Sequence, residues 1–285
     1  MNIQSLSIVV PAEKCWNHCP YCVSRMHCED YGELILNNED PIPQEYLDRM
    51  QFVRDEGCNS MVITGDTEPQ QNLKFIYKLL RANRKRLRTP FYNISLQTTG
   101  SGLNQIDIQH LAGHGLTTLA LSISSFDADR NAEIISMPEK AKRSFYDVQW
   151  WAKKCNLVTR ASVNLTSEFN DWNAEDYFTW ALLHGFDQIT FRKIYSDGNN
   201  EQAEWIKKHE FNIENYAKIE YYVIKNGTPI ARLPFGFIKY SVRGISTVID
   251  SNCMAKDNID EMKYAILRPN GHLYSRWDDT GSSIF

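Results

Sequence analysis

Three cysteines, Cys15, Cys19 and Cys22, fall within the segment Cys15-Trp16-Asn17-His18-Cys19-Pro20-Tyr21-Cys22, in Cys-x3-Cys-x2-Cys spacing. The segment directly follows an apolar stretch, Ser5-Leu6-Ser7-Ile8-Val9-Val10, that reads as a strand. Thiolates bind iron–sulfur clusters or zinc, and ordinary clusters and structural zinc sites take four protein ligands. Only three lie together here. Two arrangements complete such a site: a fourth ligand from elsewhere in the chain, or a metal position left open to a substrate.

The elements around this loop repeat. A polar, irregular stretch runs from Val23 to Pro41, and a helix from Pro43 places Tyr46, Met50 and Val53 on one face before stopping at Gly57. Ser60 to Thr64 reads as a strand ending in Gly65-Asp66-Thr67-Glu68-Pro69, followed by a helix with Leu73, Ile76, Tyr77 and Leu80 that runs on to Leu87. Further strands are expected over Tyr92–Thr98, Thr118–Ser124, Thr159–Thr166 and Gln188–Ile194. Helices separate them over Leu103–His114, Glu139–Cys155 and from an N-cap at Asn173 to Gly185. Six strand–helix units of this length imply right-handed crossovers, a parallel sheet and helices outside it. Eight units close a full barrel. The expectation is therefore an α/β fold, a partial (β/α)6 TIM-like barrel.

Alternation along the strands says what the interior holds, because side chains point to opposite faces in turn. Ser95, Gln97 and Thr99 oppose Ile94 and Leu96; Ser122 and Ser124 oppose Leu119, Leu121 and Ile123. Arg160, Ser162 and Asn164 oppose Val163 and Leu165, and Thr190 and Arg192 oppose Ile189 and Phe191. The apolar faces meet the helices, so the polar faces line a wet, ligand-holding lumen. An arginine in such a place requires an anion, which makes Arg160, Arg192 and the neighbouring Gln97 candidate substrate contacts.

Beyond Asp197 the rhythm changes, so residues 1–197 read as the barrel core and 198–285 as a C-terminal extension that closes or caps it. Two helices are expected over Glu201–His209 and Asn212–Lys225, then an Asn226-Gly227 turn and strands over Ile230–Tyr240 and Gly244–Ile249. A hairpin follows, turning at Pro269-Asn270-Gly271 between Tyr264–Arg268 and His272–Ser275.

Composition sets outer bounds. The 285 residues carry 42% hydrophobic and 23% charged side chains and a formal net charge of −4, which gives no general pull toward nucleic acid or anionic membranes. No apolar run is long enough to span a bilayer, no secretory signal is evident, and seven cysteines without a disulfide rhythm suit a reducing, cytoplasmic setting.

The cysteine segment, with an aromatic Tyr21 before its third thiol, resembles the defining motif of the radical S-adenosylmethionine (SAM) superfamily. Gly65-Asp66-Thr67-Glu68-Pro69 resembles that family's Gly-Gly-Glu-Pro motif, with Asp66 and Thr67 where glycines are usual. The resemblance covers roughly residues 1 to 195. It implies an enzyme in which Cys15, Cys19 and Cys22 hold one oxygen-sensitive [4Fe-4S] cluster. SAM binds the open iron and is cleaved reductively to a 5′-deoxyadenosyl radical, which abstracts hydrogen from a substrate in the lumen. It further implies that Glu68, with the backbone at Gly65, Asp66 and Thr67, holds the methionine ammonium group and that Tyr21 lies along the adenine. Thr99, Ser122, Ser124 and Asn164 are then candidates for the carboxylate and ribose. An electron donor such as flavodoxin or ferredoxin is implied as a partner.

The terminal hairpin resembles relatives with SPASM or twitch extensions. Cys253 stands where their first extra cysteine falls, but the returning strand ends Ser275-Arg276-Trp277 without a second, so a single cluster is expected. A small polar or anionic metabolite or nucleotide is the leading substrate class, with peptide modification next and RNA modification after it. A non-catalytic iron–sulfur or zinc module is the alternative outside enzymology. Cys28, Cys58 and Cys155 read as buried or neutral thiols, with Cys28 near enough to the loop for a substrate contact. His18 reads as a surface neighbour of the loop. Arg81, Arg84, Lys85, Arg86 and Arg88 read as a solvated face, Trp150 and Trp151 as packing, and Arg232, Arg243, Arg268 and Arg276 as surface groups.

Overall fold

Alternating apolar strands and amphipathic helices build a parallel sheet wrapped on its outer face, in a computed structural model that describes residues 2–26, 31–32, 41–233, 236–250 and 261–285. The elements are β1 (Asn2–Val9), α1 (Val23–Met26), α2 (Gln44–Asp55), β2 (Ser60–Thr64), α3 (Leu73–Arg86), β3 (Asn93–Thr98), α4 (Gln105–His114), β4 (Thr118–Ile123), α5 (Ala128–Ile134), α6 (Phe145–Lys154), β5 (Val158–Leu165), α7 (Ala174–Leu183) and β6 (Gln188–Lys193). After them come α8 (Glu201–Lys208), α9 (Ile213–Asn226), β7 (Gly227–Arg232), β8 (Ile238–Val242), β9 (Ile245–Asp250), β10 (Glu261–Leu267) and β11 (Leu273–Tyr274).

The outward strand residues Ile63, Leu96, Leu121, Val163 and Phe191 are buried in one core with Leu79, Leu111, Val148 and Phe178 from the helices. Local signals set the helix ends. Asn72 caps α3 by accepting from Phe75 N, and Asn104 and Asp107 form a reciprocal capping box on α4, which stops at Gly115 with φ 107°.

The sheet order is β11-β10-β1-β2-β3-β4-β5-β6-β9-β8-β7. The C-terminal extension thus adds strands at both edges: β10 runs parallel to β1, Asn2 opposite Glu261, and β9 runs parallel to β6. Eight parallel strands result, from β10 to β9, flanked by the antiparallel β11 on one side and β8 and β7 on the other, and among the described residues β9 and β10 do not pair with each other. A side-chain bond spans that seam instead. Lys263 Nζ of β10 lies 2.8 Å from Asp250 Oδ1 of β9, with only 2% and 9% of the two side chains exposed.

Several local expectations are corrected. The stretch read as irregular after Cys22 begins with α1. A short helix, α5, precedes the region read as one helix over Glu139–Cys155. That region is a 3-10 turn at Glu139–Ala141 and then α6, restarted where Ser144 accepts from Tyr146 N. The stretch Ile230–Tyr240 is two antiparallel strands, and Gly227 opens β7 directly from α9 instead of making a hairpin turn. Trp150 is 53% exposed, while Arg268 is buried. Cys28 and Cys253 lie outside the described residues.

Candidate active site

The cysteine segment sits at the C-terminal end of β1, fastened by the amides that follow the second motif. Gln71 accepts from Trp16 N at 3.1 Å and donates to the Lys14 carbonyl at 2.8 Å, while Asn72 donates to the Pro11 carbonyl at 2.8 Å. His18, exposed, donates its backbone N–H to the Ile135 carbonyl at 2.8 Å. Trp16 lies across Gly102, whose φ is +75° and where a Cβ would come within 2.8 Å of the indole. Glycine is required there.

Burial pushes all three thiols above the ordinary cysteine range. Cys19 is raised furthest, and the neighbouring charges at Cys22, Glu68 and Cys15 add to the effect. Such thiols ionise readily only against positive charge, which bound iron supplies. Among the described residues no three His, Cys, Asp or Glu side chains converge closely enough for a single metal ion. The three thiols nevertheless stand close enough for Cys15 and Cys22 to raise Cys19, and three thiolates are a donor set that an iron–sulfur cluster can use.

Glu68 stands beside the thiols and is 5% exposed. Its carboxylate accepts from Asn17 Nδ2 at 2.9 Å, from Thr99 N at 3.1 and 3.2 Å, and from the Thr99 hydroxyl. Asn17 also accepts from Ser101 Oγ at 2.9 Å, and Gln70 links the Ser101 carbonyl to the Thr98 hydroxyl. All of Glu68's donors are neutral, and burial holds its carboxyl above the usual glutamate range. A buried carboxylate with no cationic partner among the described residues suits a positively charged ligand.

The loop before Glu68 is close-packed. A Cβ on Gly65 would lie 3.1 Å from the Thr67 carbonyl oxygen, and the Thr67 hydroxyl is buried with no partner. The Asp66 side chain turns away from Glu68, accepting from Ser24 Oγ at 3.2 Å and from Arg268 Nη1 at 2.7 Å. Arg268 comes from the end of β10, stacks on the Tyr31 ring at 3.5 Å and donates to the Trp277 carbonyl at 3.0 Å.

Ser124 and Asn164 meet on the face that strand parity assigns them, and Tyr21 of the cysteine segment joins them. The Tyr21 hydroxyl shares a short hydrogen bond with Ser124 Oγ, and Asn164 Nδ2 lies 3.4 Å from the former and 3.3 Å from the latter. Burial keeps the Tyr21 phenol well above its ordinary pKa. Its ring leans on Trp205 of α8 at 5.6 Å. A cavity of about 410 Å3 opens next to it, lined by His18, Arg25, Arg130, Trp205 and His209 among others.

Ser122 belongs to a deeper layer. Gln97 donates to Ser122 Oγ at 2.8 Å and its carbonyl oxygen lies 3.5 Å from Ser162 Oγ and 3.4 Å from Arg192 Nη2. Arg160 Nε donates to Gln188 Oε1 at 2.8 Å. Asn17, Gln71 and Trp205 are not singled out by sequence reasoning, and Arg268 is read there as a surface group. Asn17 and Gln71 adjoin the two motifs, the one signal that marks them. The exposed basic residues at and just beyond the end of α3 reach their own chain: Arg86 bonds the Ile42 carbonyl and Arg88 pairs with Asp55.

A sequence profile described as the Radical SAM superfamily matches residues 9–166. No curated protein sequence matches the chain. Its fold is similar to SuiB of Streptococcus suis bound to S-adenosylmethionine, with a TM-score of 0.61 and 12% identity; 95% of this chain aligns with 60% of that one. It is also similar to anSMEcpe with bound AdoMet and the Kp18Cys peptide, with a TM-score of 0.62 and 15% identity over 99% of this chain and 77% of that one. HydG, a maturase of the FeFe-hydrogenase, gives a TM-score of 0.54 and 12% identity over 76% and 48%. The chain thus spans three-fifths of the SuiB chain's length. No helix among the described residues is long and apolar enough to cross a membrane.

Proposed function

The chain belongs to the radical SAM superfamily, an enzyme family, and from that premise we propose that Cys15, Cys19 and Cys22 hold one [4Fe-4S] cluster and that Glu68 receives the ammonium group of SAM. The observation that carries this reading is the buried Glu68 carboxylate, bonded only to neutral donors and tied through Asn17 to the cysteine segment. When bound, the cluster and SAM supply hydrogen-atom abstraction by radical chemistry.

The chain's own residues prepare the cleft. Gly65 lets the backbone approach closely, and Asp66 is held back by Arg268, so its side chain leaves the cleft clear. The Thr67 hydroxyl is a free donor in the same loop. Tyr21, kept protonated by burial, orders Ser124 and Asn164 where ribose or carboxylate oxygens would compete for them. Thr99 aligns Glu68, and Ser122 supports the layer beneath. Trp205 covers Tyr21 and restricts water, which strengthens every polar contact inside. In this reading residues 198–285 complete the barrel built by residues 1–197, and an external flavodoxin or ferredoxin supplies the electron.

The substrate class that the lumen favours is a small polar or anionic molecule, because Gln97, Arg160 and Arg192 face it. A peptide substrate is the second reading, favoured by the likeness to anSMEcpe with its bound peptide and to SuiB with its precursor peptide. Anaerobic reconstitution followed by SAM and dithionite tests the assignment. The wild type should release 5′-deoxyadenosine, and variants at any of the three cysteines should not. A protein that binds zinc alone and never cleaves SAM would refute it.

A further inference from the structure

The N-terminal half of the barrel contains a second space that the cofactor reading leaves unused. A cavity of about 510 Å3 is walled by the early residues of the strands, among them Ser5, Ser95, Thr118 and Thr190. Gln97, Ser122 and Ser162 do not line it. They form its ceiling, since Gln97 reaches from β3 to Ser122 of β4, Ser162 of β5 and Arg192 of β6. The lumen is thereby divided into a cofactor end above this layer and a polar chamber below it.

The chamber wall is cationic. Arg160, Arg192, Lys239 and Lys263 line it, and among the described residues Asp250 is its single carboxylate. Asp250 is already committed to Lys263, at 2.8 Å. Arg160 donates to an amide, Gln188 Oε1. Arg192 touches Gln97 at 3.4 Å and, among the described residues, keeps a buried Nε with no partner. Neither guanidinium has a carboxylate bonded to it among the described residues, although Asp250 stands in register with Arg192 on the neighbouring strand. Burial, and then the charge of Arg192, lower Arg160 to about 10, so two like charges stand together. Such an arrangement costs stability unless something negative enters, and guanidinium forks match the paired oxygens of carboxylates and phosphates.

The geometry points to an anion-binding site in this chamber, in which Arg160 and Arg192 clasp the phosphate or carboxylate group of a small ligand and hydroxyls such as Ser95 and Thr190 take its remaining oxygens. The site rests on the reading that Arg160 and Arg192 favour a polar or anionic ligand, but not on the cofactor assignment, so anion binding can succeed or fail whether or not SAM is cleaved.

Calorimetric titration and thermal melting of the reconstituted full chain test this, with inorganic phosphate in one arm and succinate in the other, at fixed ionic strength. Saturable one-to-one binding is expected in at least one arm, with a rise in melting temperature of several degrees at saturation. Binding by phosphate assigns a phosphorylated ligand, and by succinate a carboxylate. Arg160→Met and Arg192→Met should each weaken binding at least tenfold and, with no anion present, melt no lower than the wild type. Absence of saturable binding in both arms, or unchanged affinity in both variants, overturns the proposal. If a methionine variant fails to fold, the lysine variant replaces it: charge without the fork should bind several-fold more weakly, and unchanged affinity overturns the proposal equally.

Discussion

The two ends of the lumen bury charge of opposite sign and treat it differently. At the cofactor end burial lifts the Glu68 carboxyl, and the groups that bond it, Asn17 and Thr99 foremost, are neutral. At the far end burial lowers the Arg160 guanidinium, which donates to the Gln188 amide. The first site is fully built by the chain, down to the amides that brace its loop. The second leaves its strongest donors for a ligand. A chemistry common to a superfamily rewards a rigid, prepared site, whereas recognition of a particular small molecule requires groups that only that molecule satisfies.

Removing a thiol should break the comparison most completely. Cys19→Ala should abolish 5′-deoxyadenosine formation and reduce bound iron from about four atoms per chain to near zero, measured by iron assay and turnover, while phosphate or succinate binding persists. At the other end, Lys263→Met removes the cation bonded to the buried Asp250 and should cost about 3 to 5 kcal/mol in denaturant unfolding. Adding Asp250→Leu should recover most of that loss, and a single variant as stable as the wild type would show that the seam contributes nothing.

Glu68→Gln sharpens the contrast through affinity and pH. It should weaken SAM binding by about 10- to 100-fold, as expected for a bond to a charged group worth about 1.5–3 kcal/mol, read by equilibrium dialysis. The folded-state pKa of Glu68 lies above the ordinary 4.5. Stability linked to its protonated form is therefore present at low pH and lost as pH rises through the raised value. Without SAM, the wild type should lose ground to Glu68→Gln in melting temperature over that rise, and a constant difference would contradict the burial argument. The smallest effect is expected from Gln71→Ala, which removes two loop contacts and should cost about 1 kcal/mol, seen in unfolding and in faster cluster loss.

Much of this was legible because strand parity is strict. Reading alternate residues as inward placed Gln97, Ser122, Ser162 and Arg192 on one face, and Gln97 bonds each of the other three. The same reasoning brought Ser124 and Asn164 together, and Tyr21 joins them. Helix α5 escaped because it has only seven residues, too few to show a period, and depends on an Asp127 cap. Arg268 looked like a surface group because its position after a hairpin strand says nothing of Asp66, some 200 residues earlier. The pairing of β10 with β1 was invisible for the same reason. Parallel neighbours without an intervening crossover pattern leave no local trace, so the sequence suggests an extension that closes or caps the barrel without showing which strands it adds to the sheet.

That pairing has a consequence for how the protein comes into being. β1 carries the cysteine segment at its end, yet one of its two edges is covered only by Glu261–Leu267. Until those residues leave the ribosome, Leu6 and Ile8 belong to an open strand edge, the kind of surface that invites wrong partners, and the distant closure is intrinsically slow. Arg268 follows by a single residue and clamps Asp66 in the same event. The strand that leads into the cysteine segment, made first, thus waits for nearly the last residues of the chain before both of its edges are covered.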